Sequence, residues 1–304
     1  MGSNAEFTLP KLLPKASLRE RIAEWLMLLR IIFTGSGTRS DLTYNVLAQR
    51  HVMGDDTLFI NLGYWDKSKT LDDASYEMAD VLAEKADLQP DDTILDVGFG
   101  FGDQDIHWCK TRNLQKLHGV NISSVQVQAA QERVQRERLQ DRIHLREGDA
   151  IATGFATDSF DKVMGLECAF HFCTREDFFR EAHRVLRSGG RLTLADFIAR
   201  DNQPVTFKRW VASFLGRRSW QIPAYNLYAV TRYRQVLEHL GFRNIRIENI
   251  NAHVFDHFVA YQRQRFDTEG FKRRYHPLIR FVAKLQIDWG FLDTLDYIIV
   301  TAEK

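Results

Sequence analysis

Residues 92–105, DTILDVGFGFGDQD, constrain this chain more than any other stretch, because they join a short apolar run to three glycines spaced two apart. Thr93, Ile94, Leu95 and Val97 predict a buried parallel strand with Asp96 near its end. Gly98, Gly100 and Gly102 then allow a tight turn in which backbone approaches a ligand that a Cβ would displace. The G-x-G-x-G spacing differs from G-x-G-x-x-G, in which a helix N-terminus meets a pyrophosphate. On this motif alone, a strand-to-helix turn without a ligand is the alternative.

Strand-like runs alternate with helical stretches from about residue 70 to 200, which predicts an α/β fold with a parallel sheet wound by crossovers. The strands fall at 93–97, 116–120, 143–147, 160–166 and 191–197, and helices at 124–140 and 175–186, the latter stopped by Ser188-Gly189-Gly190. Residues 201–230 break the alternation and read as an inserted cap. A helix at 231–240, a strand at 245–250, a basic helical stretch at 254–285 and a last strand at 296–301 follow.

Charge limits the partners. Lys and Arg number 41 against 40 Asp and Glu, so nothing draws the chain to a polyanion, and nucleic acid is not an expected partner. Cys109, Cys168 and Cys173 are too few and too irregular for a disulfide framework or a zinc site, and no metal is expected. The opening residues are polar and hold no leader-like apolar run, so a cytoplasmic location is expected. Within 17–33, Leu18, Ile22, Trp25, Leu26, Leu29, Ile32 and Phe33 recur at helical spacing behind a Ser17 cap. Arg19, Arg21, Glu24 and Arg30 make that helix too charged to cross a bilayer. It is expected either to dock on its own core or on a second subunit, as in a homodimer, or to touch a membrane surface.

In their order, the motifs resemble those of class I S-adenosylmethionine (SAM) methyltransferases. Asp96 with Gly98, Gly100 and Gly102 resembles motif I of that family. After the second strand, Asn121, Ile122, Ser123 and Gln126 form a pattern similar to sterol, cyclopropane-lipid and sugar-directed small-molecule methyltransferases, with Asn121 where many nucleotide sites carry an acid. Asp149 and Ala150 stand where the family binds adenine, and Leu166 ends the fourth strand beside the cofactor. The segment Glu167-Cys168-Ala169-Phe170-His171 resembles the ExxxH segment of sugar and natural-product O-methyltransferases, and Asp196 follows His171 by 25 residues. Asn61-Leu62-Gly63-Tyr64-Trp65-Asp66 resembles the cap over the cofactor's methionine end, for which Tyr64, Gln104 and Asp105 are candidates.

The resemblance implies a Rossmann-like, mainly parallel seven-stranded sheet, with a helical N-terminal cap segment at 1–70 and a SAM-binding domain at 71–304 carrying the substrate cap at about 201–230. It implies SAM as cofactor and S-adenosylhomocysteine as product. His171 and Asp196 would flank the acceptor hydroxyl, the carboxylate fixing the imidazole's tautomer, while Glu167 is a candidate to take a proton if the acceptor is an alkene carbon. Trp65, Phe170, Trp210, Trp220, Tyr225 and Tyr228 are expected against a lipophilic small molecule. O-methylation of a carboxylate or hydroxyl leads. Arg209, Arg217, Arg218 and Arg232 are candidates to orient an anionic head. C-methylation of an isoprenoid or sterol-like alkene, and N-methylation of a small amine, stay open.

Overall fold

The run 93–97 becomes the central strand β1 (Thr93–Val97), whose last four residues are buried because layers cover both faces of the sheet. The computed structural model describes residues 56–201, 204 and 206–304, so the helix expected at 17–33 lies outside them. The other strands are β2 (Lys116–Asn121), β3 (Ile143–Glu147), β4 (Phe160–Leu166), β5 (Leu186–Ala199), β6 (Arg243–Asn249) and β7 (Leu295–Glu303). They form one seven-stranded sheet in the order β3-β2-β1-β4-β5-β7-β6. All pairs are parallel except those of β7, which runs antiparallel to both β5 and β6. The chain winds outward from β1 to β3 and then returns to the other side of β1 as β4. That reversal opens a crevice at the C-terminal ends of β1 and β4.

The helices start where side chains cap them. Thr70 accepts from the Asp73 N–H at the head of α1 (Leu71–Ala86), Ser123 caps α3 (Ser124–Arg136) and Thr174 caps α4 (Arg175–Val185). Helix α2 (Asp103–Thr111) leaves the glycine turn directly, with Gly102 at its N-cap. Leu71, Ala74, Met78, Ala79, Leu82 and Ala83 give α1 one buried face. Helix α3 stops four residues short of the expected end, and Arg138 just beyond it takes φ +57°. Strand β5 starts earlier than expected: Ser188-Gly189-Gly190 forms a kink inside it, with Gly189 at φ +77°, and its pairing with β4 skips from Leu186 to Arg191.

Two insertions cover the C-terminal edge of the sheet. The first follows β5 and contains α5 (Phe207–Ser219) before α6 (Val230–His239). The second separates β6 from β7, and the stretch expected as one basic helix is three: α7 (Asn251–Phe266), α8 (Glu269–Arg274) and α9 (Pro277–Asp288). Thr268 caps α8 and Pro277 opens α9, which explains the breaks. Helix α9 packs on α5 and α7, and Gln286 Nε2 donates to Ser219 Oγ at 2.9 Å. The cap is thus built from both insertions, although the sequence pointed only to the first. Among the described residues no helix is long and apolar enough to cross a membrane.

Gly216 is the closest point of this packing, since a Cβ there would lie 2.4 Å from the Phe291 ring. We expect Gly216→Leu to cost about 1–3 kcal/mol by overpacking, read as a lowered Tm in scanning calorimetry; an unchanged Tm would mean that the cap does not rest on this contact.

Candidate active site

The crevice holds a cavity whose walls come from the glycine turn, the ends of β2, β3 and β4, residues 58–61 and Gln221 of the cap. Gly98 takes φ +68°, and a Cβ on it would meet the Cys168 Cβ at 2.6 Å, so this glycine lets the turn close on β4. Gly100 (φ +56°) serves differently: nothing lies within 4 Å of where its Cβ would stand, and the residue faces the cavity. Asn121 Nδ2 donates to Gln126 Oε1 at 2.9 Å and to the Gly100 carbonyl at 3.3 Å, tying the turn to α3. Its Oδ1 makes no hydrogen bond among the described residues and suits a hydroxyl donor such as a ribose. Ile122 is 51% exposed at the mouth, an apolar surface that a flat base would cover.

At the opposite end, Asn61 is buried and lines the cavity. Its Oδ1 accepts from the Gly63 N–H at 2.9 Å, while Nδ2 is buried with no acceptor. A buried donor without a partner calls for one from a ligand, and a carboxylate such as that of a methionyl group supplies it. The glycine cradle, the open Asn121 oxygen, the apolar Ile122 shelf and the Asn61 donor together fit SAM. Gly98, Gly100, Gln104, Asn121, Ile122, Gln126, Asp149, Ala150 and Leu166 all line the cavity. Among the described residues no His, Cys, Asp or Glu cluster could hold a metal.

Four residues expected at the cofactor, Gly102, Tyr64, Asp96 and Asp105, stand off the wall. Gly102 is turned into the start of α2. Tyr64 stacks on His253 at 4.6 Å and lines a separate surface groove with Asp66, Glu77 and Glu248. Asp96 is fully buried behind the turn, its Oδ2 accepting from Gln104 Nε2 at 3.0 Å. Burial pushes its carboxyl up to about 7, and burial together with the charge of Asp96 raises the equally buried Asp105 well above the usual carboxylate range. Asp96 therefore acts on the cavity through Gln104, which does line it.

The acceptor end is built on the segment after β4. Glu167 takes φ +51°, a left-handed conformation that costs on the order of 1 kcal/mol for a residue with a Cβ. Its Oε1 accepts from the Leu62 N–H at 2.8 Å and from the Tyr297 hydroxyl at 2.6 Å, while Oε2 makes no hydrogen bond. Burial pushes this carboxyl up to about 8. His171 Nδ1 lies 3.3 Å from the Gln221 carbonyl. A carbonyl only accepts, so Nδ1 carries the proton and Nε2 the lone pair. Burial lowers the imidazole to about 4, which keeps it neutral at pH 7. Gln221 itself sits at φ +54° just past the end of α5. The Ile222 N–H donates to Arg217 O at 2.8 Å and the Gln221 N–H to Arg218 O at 3.2 Å, a helix-ending pattern that ordinarily places glycine where Gln221 stands.

Asp196 does not meet the acceptor. It is fully buried, with Arg175 Nε 2.9 Å from Oδ2, the Tyr233 hydroxyl donating to Oδ2 at 3.0 Å and its Oδ1 held by the Phe197 N–H. Arg175 was not expected at the site, and an internal guanidinium leaves the carboxylate no lone pair to spare. Arg175 also donates to Asn226 O at 2.6 Å and to Phe197 O at 2.8 Å, and Asn226 Nδ2 donates to the carbonyls of Phe170 and Phe172. Asp196 thus holds the loop that carries His171, and the Gln221 carbonyl fixes the tautomer in its place.

None of the six aromatics expected against the acceptor lines the cavity. Trp65 is buried, its indole N–H donating to Leu62 O. Phe170 and Trp220 pack on Phe197, Tyr228 lies over the Arg175 guanidinium, and Trp210 stacks between Phe207 and Phe214 on the outer face of α5. Tyr225 is exposed, and burial and the neighbouring Cys173 raise its phenol. The aromatic walls are Phe59, Phe99, Phe101 and Phe172 instead. Arg209 pairs with Asp293 and Arg232 with Glu176, and no Lys or Arg among the described residues lines the cavity.

Residues 51–269 match the family model of mycolic acid cyclopropane synthetase. The chain belongs to that family. It is 33% identical to erythromycin 3''-O-methyltransferase of Saccharopolyspora erythraea over 95% of this chain and 97% of that one. It is 39% identical to 27-O-demethylrifamycin SV methyltransferase of Amycolatopsis mediterranei, over 45% of this chain and 50% of that one. Among solved structures, geranyl diphosphate C-methyltransferase from Streptomyces coelicolor superposes with a TM-score of 0.68 at 17% identity, covering 88% of this chain and 99% of that one. The cyclase SpnF superposes with a TM-score of 0.67 at 20% identity, covering 97% and 99%. The family member described here is a class I SAM-dependent methyltransferase of a small molecule.

Gly100→Ala is expected to weaken SAM binding at least tenfold in titration calorimetry while lowering stability only by the left-handed strain, on the order of 1 kcal/mol; undiminished affinity would remove Gly100 from the cradle. Glu167 is expected to appear in the pH dependence of stability. Its folded value of about 8 lies above the ordinary glutamate value of about 4.3, so it favours the fold at low pH and that contribution is lost as pH rises toward 8. Glu167→Gln should flatten this slope in denaturant melts between pH 5 and 8, and an identical slope would place the proton elsewhere.

Proposed function

We propose that this enzyme O-methylates a hydroxyl group of a lipophilic natural product, with His171 as the general base. The observation that carries the reading is the imidazole on the cavity wall, kept neutral by burial and oriented through Nδ1 by the Gln221 carbonyl. SAM, when bound, supplies a methyl group on a sulfonium, ready for a nucleophile. The protein's part is to hold the acceptor oxygen in line, to take its proton at Nε2 and to exclude water. Phe59 and Phe172 give the acceptor an apolar wall. The O-methyltransferase relatives support the same choice of atom.

A carboxylate acceptor is disfavoured, since the described lining offers it the Glu167 acid and no cation. C-methylation keeps one specific support: Glu167, with Oε1 held by two donors and no hydrogen bond to Oε2 among the described residues, would take a proton from carbon in its ionised form, which its raised value of about 8 favours only at alkaline pH. Incubation with methyl-labelled SAM and a panel of lipophilic alcohols and alkenes separates the two. Base-stable label on oxygen, located by mass spectrometry, is expected, whereas label on carbon alone overturns the proposal.

His171→Ala should lower turnover by on the order of 10² with SAM affinity near that of the parent, and unchanged turnover would return His171 to a positioning role. The neutral form is the active base, and burial carries it down to about pH 4. Turnover should therefore hold between pH 7 and 5.5, where an ordinary histidine of pKa about 6.5 would already lose its lone pair; a rate that halves near pH 6.5 would contradict this.

A further inference from the structure

Gln221 has two properties that the reaction proposed above does not use. It occupies, at φ +54°, the position after α5 where glycine is the ordinary residue. Backbone strain of this kind persists where the surroundings hold it, and it is a pointer to function. The duty of its carbonyl toward His171 does not require a side chain, because glycine would present the same carbonyl with less strain. Yet the chain carries a carboxamide here, half-buried, on the wall of the cavity, and that carboxamide makes no hydrogen bond among the described residues. One residue thus supplies both a carboxamide on the cavity wall and the carbonyl oxygen that orients the imidazole.

We propose that the Gln221 carboxamide is the residue that selects the acceptor, by hydrogen-bonding a second oxygen next to the hydroxyl that gives its proton to His171. The preferred acceptor then carries two neighbouring oxygens, as in a vicinal diol or a glycoside, on an otherwise apolar body. This rests on the O-methylation reading and narrows it. A carboxamide both donates and accepts, so it matches a hydroxyl or an ether oxygen equally. A site built to hydrogen-bond an oxygen discriminates strongly against an analogue that lacks it, because its own polar group is then left unpaired. Phe59, Leu58 and Phe172 on the same cavity wall are apolar side chains and offer an oxygen no hydrogen bond.

The test uses the full chain and paired probes: octyl glycosides against their singly deoxygenated analogues, and cyclododecane-1,2-diol against cyclododecanol. The parent enzyme is expected to show kcat/KM at least tenfold higher for the doubly oxygenated member of a pair. Gln221→Gly keeps the carbonyl and the left-handed turn but removes the amide, and should collapse that ratio toward one. Gln221→Asn, which tolerates the same backbone conformation, should restore part of it. SAM titration of each variant verifies that the site is formed. A ratio near one in the parent, or a ratio unchanged in Gln221→Gly, overturns the assignment while leaving O-methylation standing. Methyl transfer to carbon or to neither alcohol of any pair overturns both.

Discussion

The buried pair of Arg175 and Asp196 is the interaction on which the acceptor side of the molecule depends. Both side chains are wholly out of water, so each is tolerable only because the other is there, and removing one member of such a pair typically costs about 3–5 kcal/mol. Around that pair the start of α4, the end of β5 and the cap loop at Asn226 meet at one point. Asn226 then grips the carbonyls on either side of His171. The imidazole is thus placed by a chain of contacts that begins with an ion pair it never touches.

Two strained residues sit at the same place. Glu167 and Gln221 both have positive φ without being glycine, and both line the cavity, one at the end of a strand and the other at the end of a helix. Each is over-determined by its neighbours. Glu167 is held through Leu62 and Tyr297, and Gln221 through the carbonyls that finish α5. Conformations of this kind are kept at working sites because the rest of the fold supplies the free energy.

The sheet and the cofactor end were legible because their information is local. Asp96, the three glycines, Asn121 with Gln126, and Asp149 with Ala150 each sit at the end of a strand that its own sequence announces, and the parallel winding brings those ends together. The acceptor end was legible only as far as Glu167 and His171. A partner for Asp196 had to be found 21 residues earlier, at the first residue of a helix, where an arginine ordinarily reads as solvent-facing. The aromatics were too many to sort by sequence: their spacing cannot say whether a ring faces the cavity, as Phe172 does, or the core, as Trp220 does. The three helices between β6 and β7 were likewise hidden in a single basic stretch, whose breaks at Thr268 and Pro277 are plain once the caps are seen.

The placement of β7 bears on how the molecule comes into being. Among the seven strands it is made last, yet it lies inside the sheet, between β5 and β6, and its Tyr297 reaches Glu167 across 130 residues of sequence. A nascent chain that has emerged only through β6 already possesses the glycine turn and every cofactor-side residue, but β5 and β6 have no strand to join them and Glu167 lacks one of its two anchors. In chain order the glycine turn, His171 and Gln221 all precede this strand, and only with its Tyr297 does Glu167 gain its second anchor.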